Sequence, residues 1–104
     1  MGEKSGIKAF MRDVSLVQGR HHDVSSGFEN NDGRAYLAFI AVRSQGRGVG
    51  TAFMTEVEAL LDRHGVTMDL EPEGDVLDVW RLGNWYRRHG FRWIDDRRMR
   101  RDPG

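Results

Sequence analysis

A mixed α/β fold, with helices and strands alternating around one sheet, is what this sequence predicts, and three stretches predict it. The run AYLAFIAV (35–42) is apolar without interruption and rich in strand formers, as expected of a strand covered on both faces. Val49, Phe53, Val57 and Leu60 or Leu61 then recur at helical spacing, with Glu56 and Glu58 outside. VTMDL (66–70) follows at once as a second short strand, and the βαβ order makes the two strands parallel or near-parallel. With 104 residues, no internal repeat and no second linker rich in glycine or proline, the chain has room for one domain, 1–104.

Taken in order, the first 20 residues are the least readable, because IKAFMRDVSLV (7–17) alternates poorly at either period; a strand is the favoured reading there. HHDVSSGF (21–28) is expected to be a strand antiparallel to 35–42, joined to it by the tight turn ENNDG (29–33). The helix that opens near Val49 ends at RHG, where Gly65 suits a left-handed C-cap. After the short strand 66–70, EPEGD punctuates the chain. From about Asp75 to His89, Val79, Leu82 and Tyr86 share one helical face and Gly90 provides the stop; Gly83 weakens this helix by about 1 kcal/mol relative to alanine. FRWID and RRMRR read as two closing strands, or as a strand and a tail. Phe91, Trp93 and either Trp80 or Trp85 are assigned to the core, with the remaining tryptophan at an interface.

Apolar residues make up 38% and charged residues 31%, a balance that suits a soluble globule rather than a disordered or membrane chain. No apolar stretch approaches the roughly 20 residues of a membrane span, and the N-terminus has no signal-peptide core. The chain has no cysteine, which removes thiolate zinc sites and thiol nucleophiles, and a cytoplasmic location is the expectation. His21 and His22, read as adjacent strand positions, point to opposite faces and make no metal site. The zero net charge hides a segregation: residues 53–79 hold eight acids against Arg63, and residues 80–104 hold eight arginines against three aspartates. Either the two halves attract each other in the fold, or the tail arginines face a polyanion such as nucleic acid.

Between the central strand and its helix lies QGRGVG, with Gly46, Gly48 and Gly50 at alternate positions. Amides in such a turn, at a helix N-terminus, lack intrachain partners and face a positive dipole end, which suits a phosphate or pyrophosphate. A P-loop requires a lysine before Ser or Thr, and this chain has no lysine after Lys8. A dinucleotide fingerprint begun at Gly46 would need its third glycine at Thr51, although Glu71 lies at the distance of its ribose-binding acid. The pattern Q/R-x-x-G-x-G/A after an apolar strand is met at every fixed position by Gln45, Gly48 and Gly50.

FIAVRSQGRGVGTAFM resembles the acyl-CoA-binding motif of the GNAT superfamily of N-acetyltransferases, and WYRRHGFRW carries that superfamily's Y-x-x-x-G-F signature at Tyr86, Gly90 and Phe91. The resemblance covers about residues 34–95. It departs where asparagine and alanine are often found before the tyrosine, which are Val79 and Leu82 here, and the N-terminal region is too short for the family's first strand and two helices. What it implies is a mostly antiparallel central sheet with splayed central strands flanked by helices, and acetyl-CoA as co-substrate without a metal. The amides of Gln45, Gly46, Arg47, Gly48, Val49, Gly50 and Thr51 are implied to hold the pyrophosphate. The pantetheine arm would pair with Ile40, Ala41 and Val42, and Asn84 is grouped with these cofactor-binding residues.

The resemblance makes Tyr86 the general acid that protonates the leaving thiolate. A base is harder to place, since 35–42 holds no acid or histidine; Glu71 is taken first, with Glu73, His21, His22 and a water chain as alternatives. The acceptor amine is expected to be a lysine or terminus of a macromolecule, because an N-terminally trimmed chain leaves the cleft open, unless a second copy completes the wall as a homodimer. Such trimmed forms resemble compact acetyltransferases of phages and mobile elements. The competing readings are a non-catalytic CoA-binding module and a nucleic-acid binder using Arg97, Arg98, Arg100 and Arg101.

Overall fold

The computed structural model describes residues 2–43, 48–73 and 76–104, along which run α1 (Gly2–Arg20), β1 (Val24–Asn31), β2 (Arg34–Val42), α2 (Val49–His64), β3 (Met68–Leu70), α3 (Val76–Arg88), β4 (Arg92–Trp93) and β5 (Met99–Arg101). Among the described residues the strands form one five-stranded sheet in the order β1-β2-β3-β5-β4. Only β2 and β3 pair in parallel, and the other three pairings are antiparallel. This is the mixed, mostly antiparallel α+β arrangement expected.

The N-terminal strand expected over 7–17 is instead part of α1. Ile7, Phe10, Val14 and Val17 recur at helical spacing and are all buried, which is the stripe that holds α1 on the core. Leu16, left 62% exposed on the other side, obscured that period. The helix also carries His21 and His22 out of any strand: His21 lies just past its end and pairs with Glu56 of α2, and β1 begins only at Val24. The hairpin turn contracts to Asp32 and Gly33, whose φ values of 54° and 88° are both positive as a two-residue turn with right-handed strand twist requires.

Both long helices after the hairpin end in the same way. At α2, Gly65 is left-handed, and the N–H of Val66 reaches the carbonyl of Leu61 at 2.9 Å. At α3, Gly90 has φ 91°, its N–H reaches the carbonyl of Arg87 at 3.1 Å, and the N–H of Phe91 reaches that of Tyr86 at 3.1 Å. These are Schellman caps, and the Phe91 ring completes the second by packing edge-on against Tyr86 at 5.6 Å.

Phe53, Met54, Val57 and Leu61 of α2 meet Ala35, Leu37, Met68 and Leu70 of the sheet and the α1 stripe in one core. Phe91 joins it as expected; Trp93 does not, being 38% exposed, and Trp80 is 66% exposed while Trp85 packs against the core. Trp93 lies on α3 at Gly83, where a Cβ would come within 2.6 Å of its Cζ2, so the helix-weakening glycine is a packing requirement.

Charge segregation along the chain is resolved inside the fold. Asp69 on β3, 2% exposed, takes Nε and Nη2 of Arg100 at 2.7 and 3.0 Å, with Arg34 Nε at 3.5 Å. Arg101 binds both carboxylate oxygens of Asp62 at 2.8 and 3.2 Å and the carbonyl of His89 at 3.1 Å. Removing the buried acid takes from Arg34 and Arg100 their common partner on β3, so Asp69→Ala is expected to lower stability by about 3 kcal/mol in a urea titration, while Asp96→Ala on the surface changes it by less than about 0.5 kcal/mol.

Candidate functional site

The site is made by a failure of pairing. β2 and β3 share only Ala35↔Met68, Tyr36↔Asp69 and Leu37↔Leu70. β3 then stops, and Pro72, two residues on, has no N–H with which to continue a ladder. β2 continues to Val42 with β1 on its other side, so among the described residues the backbone edge of 38–42 towards the gap is unpaired.

A bulge sits where the gap opens. Gly27 pairs with Phe39 and Phe28 with Leu37, leaving Ala38 as an extra residue on β2. One inserted residue reverses which positions face the core. Ala35 and Leu37 are buried before it; after it Ile40 and Val42 pack on the core, whereas Phe39, 55% exposed, and Ala41 turn outward.

The resulting cleft, of about 170 Å³, takes Leu37 to Ile40 as one wall, Leu70 to Glu73 as another, and Leu82 and Tyr86 of α3 as the third. Three residues singled out in the sequence, Ile40, Glu71 and Tyr86, therefore meet in one place. Tyr86 is 4% exposed, and its hydroxyl forms no hydrogen bond among the described residues. Burial pushes its phenol up to about 12, so the hydroxyl keeps its proton at any physiological pH. Glu71 and Glu73 stand exposed at the mouth and give it acidic side chains; after burial, they are the largest of the charges that raise the Tyr36 phenol.

At the far end of the unpaired edge, α2 begins. Gly48, its N-cap, has φ 71°, and among the described residues beyond its chain neighbours no atom comes within 4 Å of where a Cβ would be. The first helical bond is Ala52 N–H to Gly48 carbonyl at 2.9 Å, so the amides of Val49, Gly50 and Thr51 precede it without intrahelical acceptors. Gly50 serves differently: a Cβ there would lie 3.2 Å from Val42 and 3.6 Å from Trp85, so its bareness lets the helix start close to β2 and α3. Val42, at the end of the unpaired edge, thus lies close against this helix end.

Gln45, Gly46 and Arg47 lie outside the described residues. Asn84 is not brought to the others; it lines a separate cleft with Trp80 and Trp93 on another flank of α3. His21 packs on Phe53 and pairs with Glu56, and so is not a lining residue of the cleft. Of the four tail arginines read as a nucleic-acid surface, Arg100 and Arg101 are committed to Asp69 and Asp62. Ala38, Pro72 and Leu82 were not recognised in the sequence as site residues; Pro72 stood in EPEGD as a visible break, whereas the bulge at Ala38 leaves no mark in an all-apolar run.

No protein-family model matches the chain, and no curated relative matches it. Among solved structures, the fold is similar to the crystal structure of the anti-CRISPR protein AcrVA5, with a TM-score of 0.59 at 18% identity over 72% of this chain and 85% of that one. At that identity the likeness shows a shared fold.

Tyr86 gives a direct test of the burial. Its phenol ionises near 10 in the unfolded chain and near 12 in the fold, so its contribution to stability is complete below pH 10 and is lost as pH rises towards 12. Denaturant titrations are expected to show about 2–3 kcal/mol of stability lost over that interval, and a smaller loss in Tyr86→Phe.

Proposed function

We propose that the chain is a GNAT-type N-acetyltransferase that moves an acetyl group from acetyl-CoA to a primary amine in the cytoplasm. The observation that carries this is the unpaired edge of β2, which ends at Val42 against the N-terminus of α2 and at its other end, with Ile40, walls the cleft that Tyr86 lines. The described part of the glycine motif, Gly48 to Thr51, lies at one end of that edge, and Tyr86 of the second motif lines the cleft at the other. Among the described residues no helix is long and apolar enough to cross a membrane.

The residues present fit acetyl-CoA. A left-handed Gly48 with none of the described residues packed against it, followed by amides without helical acceptors, suits a pyrophosphate approached through the backbone. The edge of Ile40 to Val42 can receive an extended amide-bearing arm as a strand would, and a backbone amide near Ile40 would donate to the thioester oxygen as it gains charge.

In the transfer, the neutral amine nitrogen forms a bond to the acetyl carbon and the carbon–sulfur bond breaks. The nitrogen loses a proton, and the departing sulfur gains one. Glu71, with Glu73 beside it at the mouth, is the acceptor for the ammonium proton of the incoming amine. Tyr86 supplies the donor to sulfur. Because its phenol holds a proton more tightly than a thiol does (about 12 against roughly 8.5), it stabilises the thiolate first through a hydrogen bond, and transfer completes as the amide nitrogen releases its own proton. The acidic, open mouth favours a cationic acceptor such as a lysine side chain of a protein.

Calorimetric titration with CoA is expected to show saturable binding that weakens at least about tenfold in Gly48→Val, where a side chain meets both a positive φ and the site of approach. Absence of binding in the native protein removes the reading. Tyr86→Phe is expected to lower kcat about 100-fold in a thiol-release assay with mixed amines while leaving CoA affinity unchanged; unchanged turnover removes Tyr86 as the donor.

A further inference from the structure

The other flank of α3 carries a larger cleft that acetyl transfer leaves unused. It encloses about 390 Å³ and brings Trp80, Asn84 and Arg87 of α3 together with Trp93 of β4 and with Asp95 and Asp96 just beyond it. Scattered exposed apolar side chains are ordinary, but two tryptophans from different elements, 66% and 38% exposed, facing one concavity are not. Trp93 is also deliberately seated. A Cβ at Gly83 would fall 2.6 Å from its Cζ2, 3.3 Å from Cε2 and 3.5 Å from Nε1, so the indole rests on bare helix backbone.

Charge selects the guest. One oxygen of Asp95 accepts the backbone N–H groups of Arg97 and Arg98 at 2.8 and 2.7 Å, which fixes the turn and holds the carboxyl below its usual range. The tail arginines that form side-chain ion pairs do so with Asp102, Asp69 and Asp62 rather than with Asp95 or Asp96. Indole faces beside ionised carboxylates attract a cation with an apolar stem. Asn84 and Arg87 add donors whose natural partners in a peptide are backbone carbonyls.

We infer that this cleft is a docking site for a lysine or arginine side chain presented by a partner polypeptide, with Trp80 and Trp93 contacting its stem and head, Asp95 and Asp96 supplying countercharge, and Asn84 and Arg87 meeting the flanking carbonyls. The site stands apart from the acetyl-transfer cleft and does not depend on that chemistry.

The test reads the indole N–H resonances of isotope-labelled protein, assigned through single Trp→Phe variants, during titration with acetyl-Gly-Arg-Gly-Gly-amide and with the same peptide carrying norleucine in place of arginine. The arginine peptide is expected to move the Trp80 and Trp93 resonances saturably and to leave Trp85 still. Asp95→Asn combined with Asp96→Asn, which keeps an acceptor oxygen for the turn, is expected to weaken the affinity at least tenfold while the protein stays folded, its unfolding midpoint lowered only slightly by the weaker turn. Gly83→Ala is expected to move the Trp93 resonance in the free protein and to weaken binding. Equal shifts with the norleucine peptide, no shift at about 10 mM peptide, unchanged affinity in the double variant, or shifts reproduced by self-association on raising protein concentration would each overturn the assignment. Neither coenzyme nor turnover enters the readout, so loss of the acetyltransferase reading leaves this result standing, and the converse holds.

Discussion

Three residue pairs, 35–37 with 68–70, carry the whole of the parallel pairing between β2 and β3, and the rest of the molecule is arranged around the place where that pairing stops. A backbone edge left without a partner inside a sheet is costly unless something else receives its polar groups. Here Pro72 prevents β3 from continuing, and the bulge at Ala38 turns β2 as it leaves. The opening is then walled by Leu82 and Tyr86, one helical turn apart on α3. Sheet, helix and cleft are therefore one construction: restoring the missing pairs would close the space that Tyr86 faces.

Electrostatics keep that construction in register. α2 is held on several sides through its acids. Glu56 takes Arg20 and His21 from the end of α1, Glu58 takes His89 from the end of α3, and Asp62 takes Arg101 from β5. In the other direction, His64 reaches Asp13 of α1 at 2.8 Å. Except for Asp13 in mid-helix, each partner sits at or near the end of its element, so these pairs fix where elements finish relative to α2 rather than adding much stability in water. Asp69 is different, because it is buried at the centre of the sheet and ties β5 and β2 to β3.

Much of this was legible in the sequence, and the exceptions have physical causes. The uninterrupted run 35–42, the helical spacing of α2 and the glycines at 65 and 90 each named their element, because burial on two faces, amphipathicity and left-handed caps leave distinct marks. The cleft was legible as far as its two motifs reached, at Ile40 and Tyr86. α1 was misread because Met11 and Leu16 blurred a period that Ile7, Phe10, Val14 and Val17 in fact keep. Trp93 is expected in the core, yet the feature that governs it is Gly83 in another element, a long-range fit that no local pattern records. The same holds for Ala38: in a strand where every residue is apolar, a one-residue slip cannot be seen until its neighbours are placed.

The Schellman cap of α3 has a consequence for how its sequence signature is understood. Tyr86, Gly90 and Phe91 stand at the spacing that helix termination itself demands, with the Phe91 amide on the Tyr86 carbonyl and the two rings in contact. An aromatic residue four positions before Gly-Phe is thus first a grammar of stopping, available to any helix that ends against a core. It becomes vocabulary for chemistry only when the strand opposite has parted from its neighbour, so a pattern search on the spacing alone will gather many proteins that share the punctuation and not the meaning.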